Sequence, residues 1–528
     1  MKVNNAPVLR PAHPEPRPLL EFATHFAVTT IGDVSGLSTT GATVSSVDVR
    51  PGELFIALHG VARQGPQFGA RRHGAEFADQ AVANGAIAIV TDTMGLALAR
   101  YSGLPIFVMD NPRRHVAEIA SWAFGNDGRM PLMLGVTGTN GKTSTVHLQH
   151  EILSALGRTN ALSSSARRIV ADTEVTAKLS TPEASELHAI VAYGRERGVE
   201  AMCLEVSVQA IIHGRSAGFV FDVAGFTNLQ LDHREDFASM DDYLRAKATM
   251  FQNGTARRAV VSLDTVAGRT VAELADCPVT TIATPEIAED RALAESAQWI
   301  ARMTAERVNA TAFTLDGPDG QHVESKVPAL GAHMVANAAM AIVMLVEAGI
   351  PWDDIVRVID GRIPGFLPGR TQLVSTGRGP VVYIDFAHTS DAIAMTAAAV
   401  RRVTPGKVIV IFGADGSRDG TKRPIMGRAA SANSDVAIVS DYNPRWEDPD
   451  VIRAQLYEGA AETPPAGGLF DIADPEEAID KAVSLAVDGD AILWCGPGHQ
   501  DFLDVRGTRV AYDFPQLSLD ALRRHGWE

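Results

Sequence analysis

The chain has 528 residues, of which 46% are apolar and 21% charged, with a formal net charge of −16. This length exceeds what one hydrophobic core supports, so it predicts roughly three domains, and the composition is typical of soluble globular proteins. The acidic balance argues against a nucleic-acid surface, although an anionic substrate needs only a local basic pocket.

Cysteine usage and apolar runs restrict the class of protein further. Three widely spaced cysteines predict neither a disulfide framework nor a zinc site. The Pro-rich start, residues 1–18, lacks an apolar signal core, and no apolar run reaches the roughly 18 residues of a membrane span. We therefore expect a cytoplasmic enzyme that binds no nucleic acid and does not cross the membrane.

In chain order, the sequence predicts a flexible tail and three α/β blocks. The tail covers residues 1–20, and the blocks cover residues 21–130, 131–362 and 363–528, the last opening on a Pro- and Gly-rich linker at 363–369. Apolar runs predict strands at 53–58, 86–90, 381–385, 407–412 and 491–495, and a helix at 75–84. Because strands alternate with helices, mostly parallel sheets are expected.

The second block begins with a glycine-rich segment, G-V-T-G-T-N-G-K-T-S at 135–144, which lies between an apolar run and a helical stretch. Gly138 and Gly141 allow the backbone to wrap around an anion, and the following helix presents free N–H groups to phosphates. Lys142 can reach the terminal phosphates of ATP, and the Thr143 hydroxyl can ligate Mg²⁺. The general phosphate-loop pattern is imperfect here, because Val136 stands where its first glycine belongs.

Polar residues follow two further apolar runs of this block, where ligands bind at the carboxyl ends of parallel strands. Glu205 follows the run at 202–204, which places it to bind a Mg²⁺ that bridges ATP phosphates. His233 comes shortly after the run at 223–226, but alone it predicts no chemistry. Lys247 is typical, by its local sequence, of an exposed helix lysine.

The ordered series of motifs resembles the Mur ligase family. The motifs are T-G-T-N-G-K-T at 137–143, L-E-V-S at 204–207, F-T-N-L-x-x-D-H at 226–233, A-K-A at 246–248, G-A-H-M-V-A-N at 331–337, P-G-R at 368–370 and D-F-A-H-T-S-D at 385–391. Four others resemble the E-type branch, which adds the third amino acid to UDP-N-acetylmuramoyl-L-Ala-D-Glu: S-T-P-E at 180–183, G-S-R-D-G-T-K-R-P at 416–424, N-P-R-W-E-D-P at 443–449 and G-P-G-H-Q at 496–500.

The resemblance implies an α/β fold of three domains. These are an N-terminal UDP-sugar domain, a central P-loop ATPase-like parallel sheet and a C-terminal Rossmann-like domain that brings the amino acid. It also implies that an acceptor carboxylate takes the γ-phosphate of ATP to give an acyl phosphate, which the amine of the amino acid then attacks. We expect a monomer whose partners are a UDP-muramoyl-dipeptide-like acceptor and an amino acid.

Site residues carry over from the resemblance one by one. ATP would be bound by Gly138, Thr139, Asn140, Gly141, Lys142, Thr143, Ser144, Asn337, Arg370 and Asp385. Mg²⁺ would be bound by Thr143, Glu205, His233 and a carbamylated Lys247, and the catalytic set would be Lys142, Lys247, His233 and His388. Substrates would be bound by Ser180, Thr181, Ser207, Arg215, Arg418, Asn443, Arg445, Gly496 and Gln500.

The chain departs from the family pattern at both substrate sites. The uridine-contacting Arg of the family is missing around Ser45–Asp48, and the histidine expected shortly after L-E-V-S is replaced by the run V-Q-A at 208–210. At the amino-acid site Tyr442 is inserted between the Asp and the Asn of the D-N-P-R motif of diaminopimelate-adding enzymes, and Gln500 replaces the Glu that would bind a distant ammonium. The retained Arg445 favours a diamino acid, with meso-diaminopimelate ahead of lysine. A divergent ligase for another substrate pair and a non-catalytic ATP-binding protein stay open as alternatives.

Overall fold

The computed structural model describes residues 8–60, 72–176, 179–230, 236–375 and 377–527. The chain forms two compact units: residues 1–137, 157–224 and 246–258 make the first, and residues 138–156, 225–245 and 259–528 make the second.

Within residues 8–60 and 72–130, the first unit carries seven strands and four α-helices. Their bounds are β1 Arg17–Pro18, α1 Leu19–His25, β2 Thr29–Ile31, β3 Ser38–Thr39, β4 Gly41–Thr43, β5 Glu53–Ile56, α2 Ala78–Ala83, β6 Ala88–Thr91, α3 Thr93–Ala99, β7 Ile106–Val108 and α4 Val116–Ala123. Five strands form one sheet in the order β2-β7-β6-β5-β4, parallel except for β2. Phe22 of α1 packs on Phe107 and Trp122 to form the core on one face.

Residues 9–17 are held against the rest of the first unit, although the sequence predicts a flexible tail there. The backbone N–H groups of Ala12 and His13 both donate to the Glu196 carboxylate at 2.7 Å. Arg10 pairs with the buried Glu53, and β1 pairs with β3. Charge and backbone hydrogen bonds thus order a segment whose proline content indicated disorder.

The next stretch contains the phosphate loop and spans both units. Its elements are β8 Leu132–Thr137, α5 Lys142–Ala155, β9 Asn160–Ser163, β10 Arg168–Val170, β11 Thr173–Val175, α6 Ala184–Arg195, β12 Ala201–Glu205, α7 Val208–Ile212, β13 Val223–Phe226 and α8 Met240–Ala248. In the first unit β8, β12 and β9 are parallel neighbours, and β10 and β11 continue antiparallel. The carboxyl ends of β8 and β12 therefore lie at one edge of this sheet.

The second unit continues with a mixed sheet. Its elements are β14 Ala259–Ser262, α9 Val266–Leu274, β15 Val279–Ala283, α10 Arg291–Ala294, β16 Trp299–Arg307, β17 Ala310–Asp316, β18 His322–Val327, α11 Ala332–Glu347 and α12 Trp352–Ile359. Strands β14 to β16 are parallel, and β17 and β18 are antiparallel. Helix α11 is apolar around most of its circumference because it is buried and packs against both this sheet and α5.

The C-terminal part of the second unit holds a second, six-stranded sheet. Its elements are β19 Gln372–Leu373, β20 Val381–Asp385, α13 Ser390–Val403, β21 Val408–Phe412, α14 Arg423–Ala432, β22 Val436–Val439, α15 Pro449–Ala461, β23 Leu469–Asp471, α16 Pro475–Leu485, β24 Ala491–Cys495, β25 Phe502–Val505, β26 Thr508–Ala511 and α17 Phe514–Arg524. The order β19-β20-β24-β21-β22-β23 is parallel except for β19, and β25 and β26 form a hairpin.

The α/β architecture with mostly parallel sheets is confirmed. The strands predicted at 381–385 and 491–495 match β20 and β24, and the one at 407–412 begins one residue late as β21. The predicted helix at 75–84 begins with a 3₁₀ turn, Gly74–Phe77, before α2. Among the described residues, no helix has the length and apolar character needed to cross a membrane. The boundaries at residues 20, 130 and 362 stay predictions.

Candidate active site

The phosphate loop connects the end of β8 to α5, as the sequence predicts. Gly138 and Gly141 have φ angles of +141° and +89°, which residues other than glycine rarely adopt. A Cβ on Gly141 would overlap the Asn337 amide, so the turn leaves space only for hydrogen there. Thr143 and Ser144 are buried in the first turn of α5. The helix N-terminus and the glycine turn together form the anion cradle expected of such a loop.

A second segment, residues 227–230, braces this loop from one side. The Asn228 carbonyl accepts from the Thr139 N–H at 2.9 Å, and the Asn228 side-chain oxygen accepts from the Asn140 N–H at 3.0 Å. The Thr227 hydroxyl donates to the Asn140 carbonyl at 2.6 Å, and the Gln230 N–H donates to the Thr139 hydroxyl at 3.0 Å. Thr139 and Asn140, the two residues between the glycines, are therefore fixed by hydrogen bonds.

The Lys142 ammonium lies over the phosphate loop itself. Its Nζ donates to the Thr139 carbonyl at 2.7 Å and to the Gly138 carbonyl at 3.1 Å. These contacts hold a positive charge where phosphates would bind. Asn337, buried on α11, contacts Gly141 rather than standing apart from the loop.

In the first unit, Glu205 ends β12 and is only 4% exposed. Its carboxylate accepts from the Ser165 N–H at 2.9 Å. The Thr181 hydroxyl donates to the Glu205 carbonyl at 2.8 Å and accepts from the Ser207 N–H at 3.1 Å. Ser207 also caps α7 by accepting from Ala210 at 3.2 Å. Glu205, Thr181 and Ser207 thus share one hydrogen-bonded cluster at the carboxyl end of β12.

Ser180 and Arg215, two other predicted substrate ligands, belong to the same unit. Ser180 is half-buried and precedes Thr181. The Arg215 guanidinium lies 3.3 Å from the Glu183 carboxylate, which is also 3.7 Å from Arg113. Glu183 of the S-T-P-E motif is therefore shared between two arginines, which keeps both cations beside this segment.

Lys247 lies on α8 with only 1% of its surface exposed. The expectation of an exposed helix lysine from local sequence alone is therefore wrong, because tertiary packing covers this face of the helix. A fully buried lysine is rare unless its charge is paired or chemically removed. The burial is compatible with the carbamylated lysine that the resemblance implies. His233 lies outside the described residues.

Asp385 ends β20 in the second unit and is held by backbone N–H groups. It accepts from Thr371 at 2.6 Å and from Ala387 at 2.8 Å. Burial raises the pKa of Asp385, and the neighbouring Arg370 opposes that shift. Arg370 also stacks over the Phe386 ring, 4.9 Å from its centroid.

His388 is oriented by a backbone contact. Its Nδ1 lies 2.8 Å from the Phe386 carbonyl, which can only accept, so Nδ1 carries a proton. In the neutral ring Nε2 is then the acceptor nitrogen. The Gly496 N–H donates to the Asp385 carbonyl at 2.9 Å, so the G-P-G-H-Q turn is attached to the same strand end.

The predicted amino-acid ligands cluster after β22 and β24, at the same carboxyl edge of the C-terminal sheet as Asp385. Asn443 donates to the Gln500 side-chain oxygen at 2.9 Å, and the buried Tyr442 donates to the same atom. Arg445 lies 3.3 Å from Asp415. Arg418, in contrast, is exposed on its loop, and the structure shows no hydrogen bond or ion pair for it among the described residues.

The backbone of this cluster is strained. Asn443 and Arg445 have φ angles of +41° and +54°, in the left-handed region that side chains seldom occupy. Such conformations cost about 1–3 kcal/mol each and persist where surrounding contacts impose them, commonly at ligand sites. The Gly416 N–H donates to the Asn443 carbonyl at 3.0 Å, which ties the two loops together.

Residues 136–345 match the Mur ligase middle domain, and residues 369–498 match the Mur ligase glutamate ligase domain. A UDP-N-acetylmuramyl-tripeptide synthetase of Leifsonia xyli is 43% identical over 521 residues, covering 98% of each chain. The chain belongs to the Mur ligase family. As a Mur ligase it is an ATP-dependent ligase that forms a carbon–nitrogen bond and releases ADP.

Other Mur ligases are similar over nearly the whole length. A UDP-N-acetylmuramoyl-L-alanyl-D-glutamate–2,6-diaminopimelate ligase of Streptomyces avermitilis is 37% identical, with 98% of both chains covered. A solved diaminopimelate ligase superposes with a TM-score of 0.64 at 25% identity, covering 96% of this chain and 99% of that one. A MurF ligase of Thermotoga maritima solved with ADP has a TM-score of 0.62 at 18% identity over 92% and 97%, which shows a shared fold.

The sequence did not single out two groups of residues that contact the predicted site residues. Thr227, Asn228 and Gln230 brace the phosphate loop, and the polar run after β13 was the signal that could have found them. Asp415 follows β21 by only three residues, a strand-end position that also favours ligand contact.

Proposed function

We propose that this Mur ligase adds an amino acid to UDP-N-acetylmuramoyl-L-Ala-D-Glu in peptidoglycan precursor synthesis. The observation that carries the proposal is similarity over 98% of the chain to ligases named for this step. The intact phosphate loop with its glycine cradle and Lys142 supports it, since a protein that only kept the fold would not need them. We place the protein in the cytoplasm, as a monomer.

The residues present suit ATP and Mg²⁺. The cradle formed by residues 138–144 has no space for a Cβ at Gly138 or Gly141, as expected where phosphate oxygens approach the backbone. Glu205, Thr143, His233 and a carbamylated Lys247 offer the oxygen and nitrogen donors from which we propose the Mg²⁺ ligands are drawn. When bound, Mg²⁺ neutralises charge on the phosphates.

The proposed reaction has two steps, and side chains of the protein assist each of them. The acceptor carboxylate attacks the γ-phosphorus, the bond to ADP breaks, and an acyl phosphate forms. The Lys142 ammonium offsets negative charge that gathers during this transfer. The amine of the amino acid then attacks the acyl carbon, phosphate leaves, and the amine loses a proton. His388 Nε2 is an acceptor in the neutral ring, so we assign it to the reacting centre as the group that takes this proton.

The acceptor and the amino acid are assigned to separate groups. We propose that Ser180, Thr181, Ser207 and Arg215 bind the acceptor, because Thr181 and Ser207 share a hydrogen-bonded cluster with Glu205 and Arg215 pairs with Glu183 in the same unit. For the amino acid we propose Asn443, Arg445, Gly496, Gln500 and the exposed Arg418. Arg445 suits capture of a carboxylate, which favours meso-diaminopimelate over lysine.

Phosphate release measured against a panel of acceptors and amino acids tests this function. With UDP-N-acetylmuramoyl-L-Ala-D-Glu, we expect turnover with diaminopimelate to exceed turnover with lysine, ornithine and neutral amino acids. Arg445→Ala should raise the KM for the amino acid by roughly 30-fold or more, since truncating a desolvated charge pair costs about 2–5 kcal/mol. The KM for ATP should stay nearly unchanged.

Arg428→Ala is the matched control, because Arg428 is an exposed arginine of the same sheet domain that pairs with Glu462. A clear preference for a neutral amino acid, with Arg445→Ala harmless, would reject the diamino-acid assignment and favour a divergent ligase. Absence of phosphate release with every acceptor would favour the non-catalytic alternative.

A further inference from the structure

The hydrogen-bond directions around Gln500 are fixed by the backbone. The Asp504 N–H can only donate, and it lies 2.7 Å from the side-chain oxygen of Asn443. The other side-chain atom of Asn443 is therefore its NH₂ group, which lies 2.9 Å from Gln500. Because that NH₂ must donate, the Gln500 atom it faces is the oxygen.

The Tyr442 hydroxyl is a second donor to that same oxygen. Burial raises the pKa of Tyr442 well above its ordinary value, and the charge of Asp415 raises it further, so the hydroxyl keeps its proton. Both lone pairs of the Gln500 oxygen are then engaged. The group that Gln500 has left to offer a ligand is its NH₂, a donor, which suits a carboxylate and not an ammonium.

Asp415 supplies the negative charge in this cluster. Its carboxylate lies 3.3 Å from Arg445 Nη2. The side chain of Asp415 is 22% exposed and that of Arg445 is 28% exposed, so a ligand can reach both charges. The Nε atom of Arg445 is buried and has no hydrogen-bond partner within the described part of the chain. A buried donor without an acceptor is costly, which indicates that a ligand oxygen completes this guanidinium.

We propose that Asp415 binds the side-chain ammonium of the incoming amino acid, while Arg445 and the Gln500 NH₂ bind its side-chain carboxylate. The ammonium and the carboxylate on the distal carbon of the diamino acid match the two charges of the protein: the ammonium faces Asp415 and the carboxylate faces Arg445. Each of these four charged groups then has oppositely charged neighbours. This assignment rests on the proposed function, because it takes the amino acid to be a diamino acid. It makes Asp415 the specificity-determining residue for that ammonium.

The test compares meso-diaminopimelate with 2-aminopimelate, which lacks only the side-chain ammonium. The wild-type enzyme should show a kcat/KM for diaminopimelate at least about tenfold higher than that for 2-aminopimelate. Asp415→Asn keeps the shape of the side chain and should remove most of this preference, with the value for 2-aminopimelate and the KM for ATP little changed. Asp419→Asn is the control, because it also removes one negative charge from this loop. Asp419 accepts from the Thr421 N–H at 2.9 Å, and the variant should keep the preference for diaminopimelate.

A wild-type enzyme without the preference, or an Asp415→Asn variant that keeps it, would overturn the proposal. An equal loss for both amino acids would show that Asp415 only positions Arg445, which also overturns it. Calorimetric titration of both amino acids into each variant, with a non-hydrolysable ATP analogue, gives the same comparison without an acceptor. Lack of turnover in the wild type would therefore reject the proposed function while the binding comparison still decides the role of Asp415.

Discussion

Gly138→Ala should disable the phosphate loop through a local steric conflict. An added Cβ would overlap the Thr227 hydroxyl and lie 3.1 Å from both the N and O atoms of Asn228. Relief requires Thr227 to move, which breaks its 2.6 Å hydrogen bond to Asn140. An alanine at a φ of +141° costs about 1–3 kcal/mol, and the lost hydrogen bond about 1 kcal/mol more.

The sum, about 2–4 kcal/mol, corresponds to a fall in kcat/KM for ATP of roughly 30-fold to several hundred-fold. Coupled measurement of ADP formation over a range of ATP concentrations gives this ratio. Gly157→Ala is the matched control: Gly157 follows the same helix with a φ of +74°, but a Cβ there meets nothing within 4 Å. It should cost stability without changing the KM for ATP.

A double variant isolates the overlap itself. Thr227→Ala removes the hydroxyl that conflicts with the new Cβ, so Gly138→Ala combined with Thr227→Ala should recover part of the lost activity. The contact with the Asn228 backbone would remain, so recovery should be incomplete. Near-normal ATP kinetics in Gly138→Ala, or a double variant no better than Gly138→Ala alone, would refute this account of the loop.

Three other changes give distinct outcomes. Lys142→Ala should abolish phosphate release while circular dichroism and melting stay near wild type; a folded variant with normal turnover would contradict the phosphate role. In bicarbonate, the intact-protein mass should show an acid-labile carbon dioxide adduct on Lys247. Lys247→Ala should be inactive, and a small carboxylate should partly restore its activity. An unmodified Lys247 side chain that faces solvent in an ATP-bound structure would contradict the carbamylation. Burial raises the pKa of Asp264 to about 6 from an ordinary 3.8, so the folded state loses stability as pH rises through this range. The Asn side chain of Asp264→Asn can still accept from the Thr284 N–H. The free energy of unfolding of this variant, measured in urea and compared with that of the wild type, should rise by up to about 3 kcal/mol between pH 4 and pH 7. A difference that does not change with pH would contradict the raised pKa of Asp264.

The phosphate loop was predictable from the sequence because its causes are local. Gly138, Gly141 and Lys142 lie within five residues, and their conformation follows from glycine freedom and a helix N-terminus. The strands β20 and β24 were predictable for a similar reason, since each is a short, continuous apolar run between polar segments.

Burial and pairing over long sequence distances were not predictable in the same way. The local sequence of Lys247 indicates an exposed lysine, and only the packing of α8 buries it. The partnership of Asp415 with Arg445 joins residues 30 positions apart, so it depends on which loops the sheet order places side by side. The order of residues 9–17 is likewise not visible locally, because their proline content indicates disorder and their charged partners, Glu53 and Glu196, are distant in the sequence.

The contacts of residues 9–17 have a practical consequence for anyone who shortens this protein. A truncated protein that begins at α1 keeps every helix and strand that the sequence predicts. It nevertheless loses Arg10, which leaves the Glu53 carboxylate, only 2% exposed, without its cation. Glu196 would lose both backbone donors at the same time. A buried carboxylate that loses its partner costs several kcal/mol, so such a truncation should give an N-terminal sheet that misfolds or precipitates, for reasons unrelated to catalysis.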